Sequence, residues 1–202
     1  MTALALRGSV IASNAEVLDG IRDPDISIAI WERAAPEAIA TLLSPSLRPV
    51  RFSSVLSGLP GVLTRALDIA DYPLSAARVA IEDDITEIAE RFASIMRIDR
   101  VDIRLDRITG NACRKWHADY VTARLLTTYA GRGTQWLDAR VEGGCECGEA
   151  HDIRELRAGD VALFKGRHWD EARAAIHRSP PIEGSGEERL LLVINPAERP
   201  DD

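Results

Sequence analysis

The rhythm of hydrophobic and polar positions along the chain changes near residue 100. Before that point, apolar residues recur at helical intervals. Ile81, Ile85, Ile88, Phe92 and Ile95 fall three and four apart between about Ser75 and Met96, enough to line one face of a helix. PGVLTRALDIA and APEAIATLL, the second opening on Pro36, predict two shorter helices, and ISIAIW from residue 26 predicts a strand. Beyond residue 100 the period drops to two. Val101, Ile103 and Leu105 alternate with Asp102, Arg104 and Asp106, as on a strand with one face buried. Further β-type runs follow at about 121–130, 134–141, 152–157, 160–165, 172–178 and 188–195, parted by AGRG, EGGCECGE, RAGD and PPIEGSG among others. Short strands at this spacing predict an antiparallel sandwich or barrel. The expected division is a mostly helical layer over residues 1–99 packed on a β-core over residues 100–202, the two forming one unit.

Composition narrows the picture. The 202 residues are 46% hydrophobic, enough for a sizeable core, and no run approaches the roughly 20 apolar residues of a membrane span. The N-terminal stretch lacks a basic leader, and Arg7, Asn14 and Glu16 interrupt any signal-like core, so a cytoplasmic protein is expected. A net charge of -7 argues against a nucleic-acid partner and against an anionic membrane surface. Glu82, Asp83, Asp84, Glu87 and Glu90 read as the solvated face of the long helix. There is no G-x-S-x-G and no glycine-rich phosphate loop, which removes the common hydrolase and nucleotide-binding patterns.

The chemistry starts in KWHADYVTARLLTTY, residues 115 to 129, where His117 and Asp119 stand two apart at the mouth of an apolar run. On an extended segment both side chains point the same way, so they can be solvated neighbours at a strand end or two ligands of one metal. A third ligand decides between these. His151 lies in a glycine-rich turn and His168 in the loop GRHWDEA, whereas His177 follows the apolar ARAAI and closes a predicted strand. Two imidazoles and one carboxylate leave open positions on an octahedral metal, the pattern of non-haem iron(II) oxygenases. Iron used this way takes electrons from a co-substrate, usually a 2-oxo acid, whose far carboxylate needs a buried cation. Arg189, at the start of the strand in EERLLLVIN, is placed to provide it, beside His177 across the hairpin PPIEGSG.

Cys145, Cys147 and His151, in CECGEAH, form a second constellation. Two thiols and an imidazole suit a tetrahedral zinc with one ligand missing, which Cys113 or a second subunit can supply. The alternative is a loop whose cysteines are incidental.

The order VDIRLDRITGNACRKWHAD, RLLTTYAGRGTQWL, LRAGDVALFKG, IHRSPPIEGSGEERLLLVI resembles the core of 2-oxoglutarate/iron(II) dioxygenases of the prolyl-hydroxylase type, over roughly residues 100–195. The whole chain, with IAIWERA, TTYAGRGTQWL and HRSPP, resembles a bacterial family catalogued as domain of unknown function 1826. The resemblance implies a double-stranded β-helix of the cupin or jelly-roll type, within an α+β fold that carries an N-terminal helical layer. It implies Fe(II) on His117, Asp119 and His177, and 2-oxoglutarate held by Arg189. Arg124, Thr127 and Tyr129 match polar positions of the strand after H-x-D and become candidate co-substrate contacts. Lys165 departs from the pattern and competes with Arg189 as the anchor. The implied activity is an oxygenase acting on a small molecule or a protein side chain, with an oligomer possible. A non-catalytic zinc-binding or zinc-sensing protein of the same fold is the alternative.

Overall fold

The computed structural model describes residues 4–6, 8–44, 46–138 and 153–197. The β-strands are β1 (Leu4–Leu6), β2 (Ser9–Ala12), β3 (Ile28–Trp31), β4 (Val50–Val55), β5 (Arg100–Ile108), β6 (Ala123–Ala130), β7 (Gln135–Leu137), β8 (Ile153–Glu155), β9 (Val161–Lys165), β10 (His177–Arg178) and β11 (Arg189–Pro196). The α-helices are α1 (Leu59–Ile69) and α2 (Ala76–Met96). Eight strands form a large sheet in the order β1-β2-β3-β9-β6-β11-β5-β4, and β10-β7-β8 form a small one. Only the β2–β3 pairing is parallel among the pairs in the two sheets. The small sheet faces the middle of the large one, and the helices cover the large sheet's other side. This is a double-stranded β-helix with a helical layer, an α+β fold.

Alternation along each strand creates two cores. Val101, Ile103, Leu105, Leu125, Leu163, Leu190 and Leu192 meet Ile81, Ile85, Ile88 and Phe92 of α2 on the helical side. Leu126, Ala162, Phe164, Leu191 and Val193, each one residue out of phase, point the other way and pack with Trp136 between the sheets. Each large apolar side chain so buried contributes about 1.5–3 kcal/mol. The helix α2 is set by Ser75, whose Oγ accepts from Arg78 N at 3.1 Å, and it ends where Arg97 turns left-handed at φ 56°.

The first 99 residues hold more than a helical layer, because β1 to β4 join the large sheet at its two ends. APEAIATLL does not become an α-helix. Ala38 takes φ 62°, which breaks a right-handed helix, and only a 3-10 turn over Ile39–Leu42 survives. The expected strand at 172–178 shrinks to β10, preceded by a 3-10 turn at Glu171–Arg173. Among the described residues no helix is long and apolar enough to cross a membrane.

Candidate metal centre

His177 sits on β10, the edge strand of the small sheet, and its ring packs against Phe164 with centroids 4.8 Å apart. His117 lies outside the named strands but forms an isolated bridge with His177. Each donates its backbone N–H to the other's carbonyl, at 3.1 and 2.9 Å. The bridge brings the imidazoles to 4.7 Å between centroids. Asp119 follows in the loop leading to β6. The ligand atoms of His117, Asp119 and His177 all lie within 4.8 Å of one another, the one such His/Cys/Asp/Glu group among the described residues.

Hydrogen bonding fixes what these rings offer. His117 Nδ1 lies 2.8 Å from Lys115 O, and His177 Nδ1 lies 3.1 Å from Ala175 O. A carbonyl only accepts, so each Nδ1 carries a proton, and each Nε2 is turned inward towards the Asp119 carboxylate. Those atoms approach Asp119 at 3.7 Å (His117 to Oδ1) and 3.3 Å (His177 to Oδ2). The second approach lacks hydrogen-bond alignment, and Asp119 Oδ2 is buried without a partner. With both Nε2 atoms unprotonated, the three groups are all acceptors, a set that a cation between them would satisfy. Ligands at about 2.1 Å and at right angles around a metal stand about 3 Å apart, and the 3.3 and 3.7 Å separations here would close slightly around one. The donor set and geometry fit an octahedral first-row metal.

Arg124 completes the carboxylate's surroundings. Its Nη1 lies 2.6 Å from Asp119 Oδ1, and its Nε donates to Asn195 Oδ1 at 2.9 Å. Burial pushes the Asp119 carboxyl up, but interaction with His177 and the charge of Arg124 outweigh it and hold the group below its usual range. Asn195 carried no signal of its own in the sequence; the alternation of β11 puts it on the face of Leu191 and Val193.

Arg189 is fully buried on that same face, one step out of phase with Leu190. It does not sit across a hairpin from His177, because β10 and β11 belong to opposite sheets, and PPIEGSG crosses between them. Its Nε donates to Arg132 O at 2.6 Å, and its Nη2 reaches Thr128 Oγ1 and Thr134 Oγ1 at 3.3 Å. Its Nη1 is buried with no partner. Burial lowers its pKa to about 10. The turn that presents Arg132 O depends on Gly131, at φ 80°, where a Cβ would lie 2.0 Å from Glu188 O. Thr134 precedes β7 by one residue, while Trp136 of β7 is the register partner of His177. The step from Thr134 to Trp136 is about 7 Å of strand, which sets Arg189 and the triad at neighbouring levels of the inter-sheet space.

Three expected co-substrate contacts point elsewhere. Lys165 shares the phase of Val161 and Leu163. Its Nζ donates to Asp23 O at 2.6 Å and lies 5.4 Å from the centre of the Trp169 ring, on the side away from the triad. Thr127 pairs with Val161 and Leu192 and shares their face, whereas its neighbour Thr128 reaches Arg189. Tyr129 occupies a bulge, where the β6–β11 register slips between Leu190 and Leu191, and its hydroxyl donates to Asp84 Oδ2 at 2.7 Å. Burial, then Asp84, push that hydroxyl well above its usual range, so it stays a neutral donor. Asp84 itself is buried and ion-paired with Arg33, unlike the solvated helix face expected of it.

Of the second constellation, Cys113 is exposed at φ 57°. Cys145, Cys147 and His151 lie outside the described residues. His168 is exposed, stacks edge-on with Tyr120 and is not among the converging ligands.

A family model described as protein of unknown function (DUF1826) matches residues 12–195. No curated protein matches the chain in sequence. Among solved structures, the dioxygenase for auxin oxidation 1 from Arabidopsis thaliana, as its 2-oxoglutarate complex, overlaps 84% of this chain and 68% of its own at 13% identity and a TM-score of 0.45. The rice dioxygenase for auxin oxidation overlaps 94% of this chain at 14% identity and a TM-score of 0.44, and the chain spans 63% of that protein's length. AviO1 from Streptomyces viridochromogenes Tue57 overlaps 94% of this chain and 98% of its own, at 16% identity and a TM-score of 0.45. Overlaps this loose assign neither chemistry nor ligand.

Proposed function

The chain belongs to the DUF1826 family of proteins of unknown function, and we propose that it is a non-haem iron(II)- and 2-oxoglutarate-dependent oxygenase. The observation that carries this reading is the convergence of the His117 and His177 Nε2 atoms on the Asp119 carboxylate, whose Oδ2 has no hydrogen-bond partner. When bound, iron(II) supplies the redox chemistry by which O2, 2-oxoglutarate and a substrate C–H give CO2, succinate and C–OH.

The residues of the chain do the rest. Lys115 O and Ala175 O lock the two rings in the metal-binding tautomer, and Arg124 keeps the Asp119 carboxylate ionised and turned inward. Arg189 offers a free Nη1 to the far carboxylate of the diacid, with the Thr128 and Thr134 hydroxyls beside it. Phe164, Trp136 and Leu191 exclude water from the space between.

The test is anaerobic loading with Fe(II), titration with 2-oxoglutarate by calorimetry, then admission of O2 and measurement of succinate. Binding of one metal, metal-dependent binding of 2-oxoglutarate and slow succinate release are expected. Asp119→Ala and His177→Ala should each weaken the metal by more than about 100-fold, beyond the loss typical of a residue behind the ligands. Metal binding with no affinity for 2-oxoglutarate would leave a metal-binding protein and remove the oxygenase.

A further inference from the structure

The large majority of arginines with described side chains meet a carboxylate, as expected in a chain of net charge -7: Arg33 with Asp84, Arg78 with Asp68 and Glu82, Arg107 with Glu188, Arg132 with Glu155. Cations without such a partner are few among the described residues, and several gather at the triad. Arg189 is one, inside. Arg114 and Lys115 are two more, both exposed, on the loop that ends in His117. Arg178, next to His177, lies over the Trp116 ring at 4.2 Å instead of against a carboxylate.

The loop that carries Arg114 and Lys115 is fixed. Asn111 Oδ1 accepts from Ile182 N and Glu183 N at 2.9 and 3.0 Å, and its Nδ2 donates to Glu183 at 3.1 Å. Ser179 N donates to Cys113 O at 2.9 Å. The carbonyl of Lys115 receives the Nδ1–H of His117, so this cation and a metal ligand are held by one hydrogen bond. An open cavity of about 380 Å³ lies here, lined by Asn111, Cys113, Arg114, Lys115 and His117. It has a triad ligand in its wall and two unpaired cations at its rim.

We propose that this cavity receives the primary substrate, and that the substrate carries an oxyanionic group, carboxylate or phosphate, held by Arg114 and Lys115. The proposal rests on the triad being the metal centre described above and adds the class of molecule oxidised. Exposed cations without a carboxylate partner, on a loop already ordered by the fold, favour an anion over a neutral group of similar shape.

The test uses three probes of similar shape: phenylacetate, phenyl phosphate and neutral 2-phenylacetamide. Each is titrated into the metal-free protein while backbone amide shifts of residues 111–117 are followed. At least one anion should bind about tenfold more tightly than the amide, and that preference should vanish in the double variant Arg114→Glu, Lys115→Glu while Arg114→Lys keeps it. The tighter of the two anions names the group. Equal binding of the amide, or a preference that survives the double variant, would overturn the proposal. With Mn(II) loaded, the ring protons of the bound anion should relax strongly, and sharp lines would place the anion away from the triad and also overturn it. Failure of any metal to bind would remove the oxygenase reading and, with it, the assignment of the anion as a substrate, while the titration without metal decides separately whether the loop selects anions.

Discussion

Two deeply buried arginines lie on opposite sides of the large sheet, and they are satisfied in different ways. Arg78, on the helical side, uses Nε on Glu82 at 2.9 Å, Nη1 on Tyr72 O at 2.9 Å, and Nη2 on Thr64 O and Asp68 at 3.0 and 2.6 Å. Arg189, between the sheets, meets one carbonyl and two hydroxyls, no carboxylate, and keeps Nη1 unpartnered. A buried charge without a counter-ion is unfavourable for the fold, and its retention points to a ligand that supplies the missing partner. The same contrast separates Asp84, which has both Arg33 and Tyr129, from Asp119, whose Oδ2 is left bare. Arg78 and Asp84 on the helical side are satisfied within the fold, whereas Arg189 and Asp119 between the sheets each keep one buried atom without a partner.

The largest effect expected from this contrast is on stability. Asp84→Ala strands Arg33 and the Tyr129 hydroxyl, and breaking such a buried pair costs about 3–5 kcal/mol. Urea unfolding should show this loss, with metal affinity in the folded protein unchanged. A tenfold fall in metal affinity would mean that the two sides are coupled through the sheet, and the comparison would break.

Why was one side more legible in sequence than the other? Apolar periodicity reports which residues face a core, so α2, β5, β6, β9 and β11 could be read from Ile81, Ile85, Leu105, Leu125 and Leu192. The triad could be read because metal chemistry demands particular residue types. Its means of assembly could not, since a single bridge between His117 and His177 leaves no pattern. The co-substrate contacts failed where they depended on phase. Lys165 follows the alternation of β9 to the helical side, and Tyr129 sits in a bulge that only the β6–β11 register reveals. The strands β1 and β2, three and four residues long, offer too few alternations to count, and β4, at the edge of the large sheet, went unread as well.

The next expected effect is smaller and splits in sign. Arg189→Met removes a charge whose pKa burial depresses from the usual guanidinium range to about 10, so the unfolded chain holds this proton more tightly than the native one. The charged form therefore weighs against folding at every pH below about 10, and the penalty relaxes as pH rises from there towards the guanidinium's usual range. Free of it, Arg189→Met should be more stable at neutral pH by about 1 kcal/mol. Its 2-oxoglutarate affinity should fall by about 2–4 kcal/mol, with metal content unchanged. A variant less stable than the parent and equal in 2-oxoglutarate binding would make Arg189 a structural residue like Arg78.

The smallest effects give the sharpest comparison, because they fall on adjacent residues. Thr127 and Thr128 are both buried on β6 and face opposite sides of the sheet. Thr127 Oγ1 has no partner, so Thr127→Val exchanges an unsatisfied hydroxyl for a methyl of the same shape and should leave 2-oxoglutarate binding unchanged while adding up to about 1 kcal/mol of stability. Thr128 Oγ1 accepts from Arg189 Nη2 at 3.3 Å, so Thr128→Val frees a second donor on that guanidinium and loosens its orientation. Calorimetry should show 2-oxoglutarate binding weakened by about 1 kcal/mol, roughly fivefold, with the metal retained. If the two variants behaved alike, the phase of β6 would have no bearing on the co-substrate, and Arg189 would lose the support that marks it as an anchor.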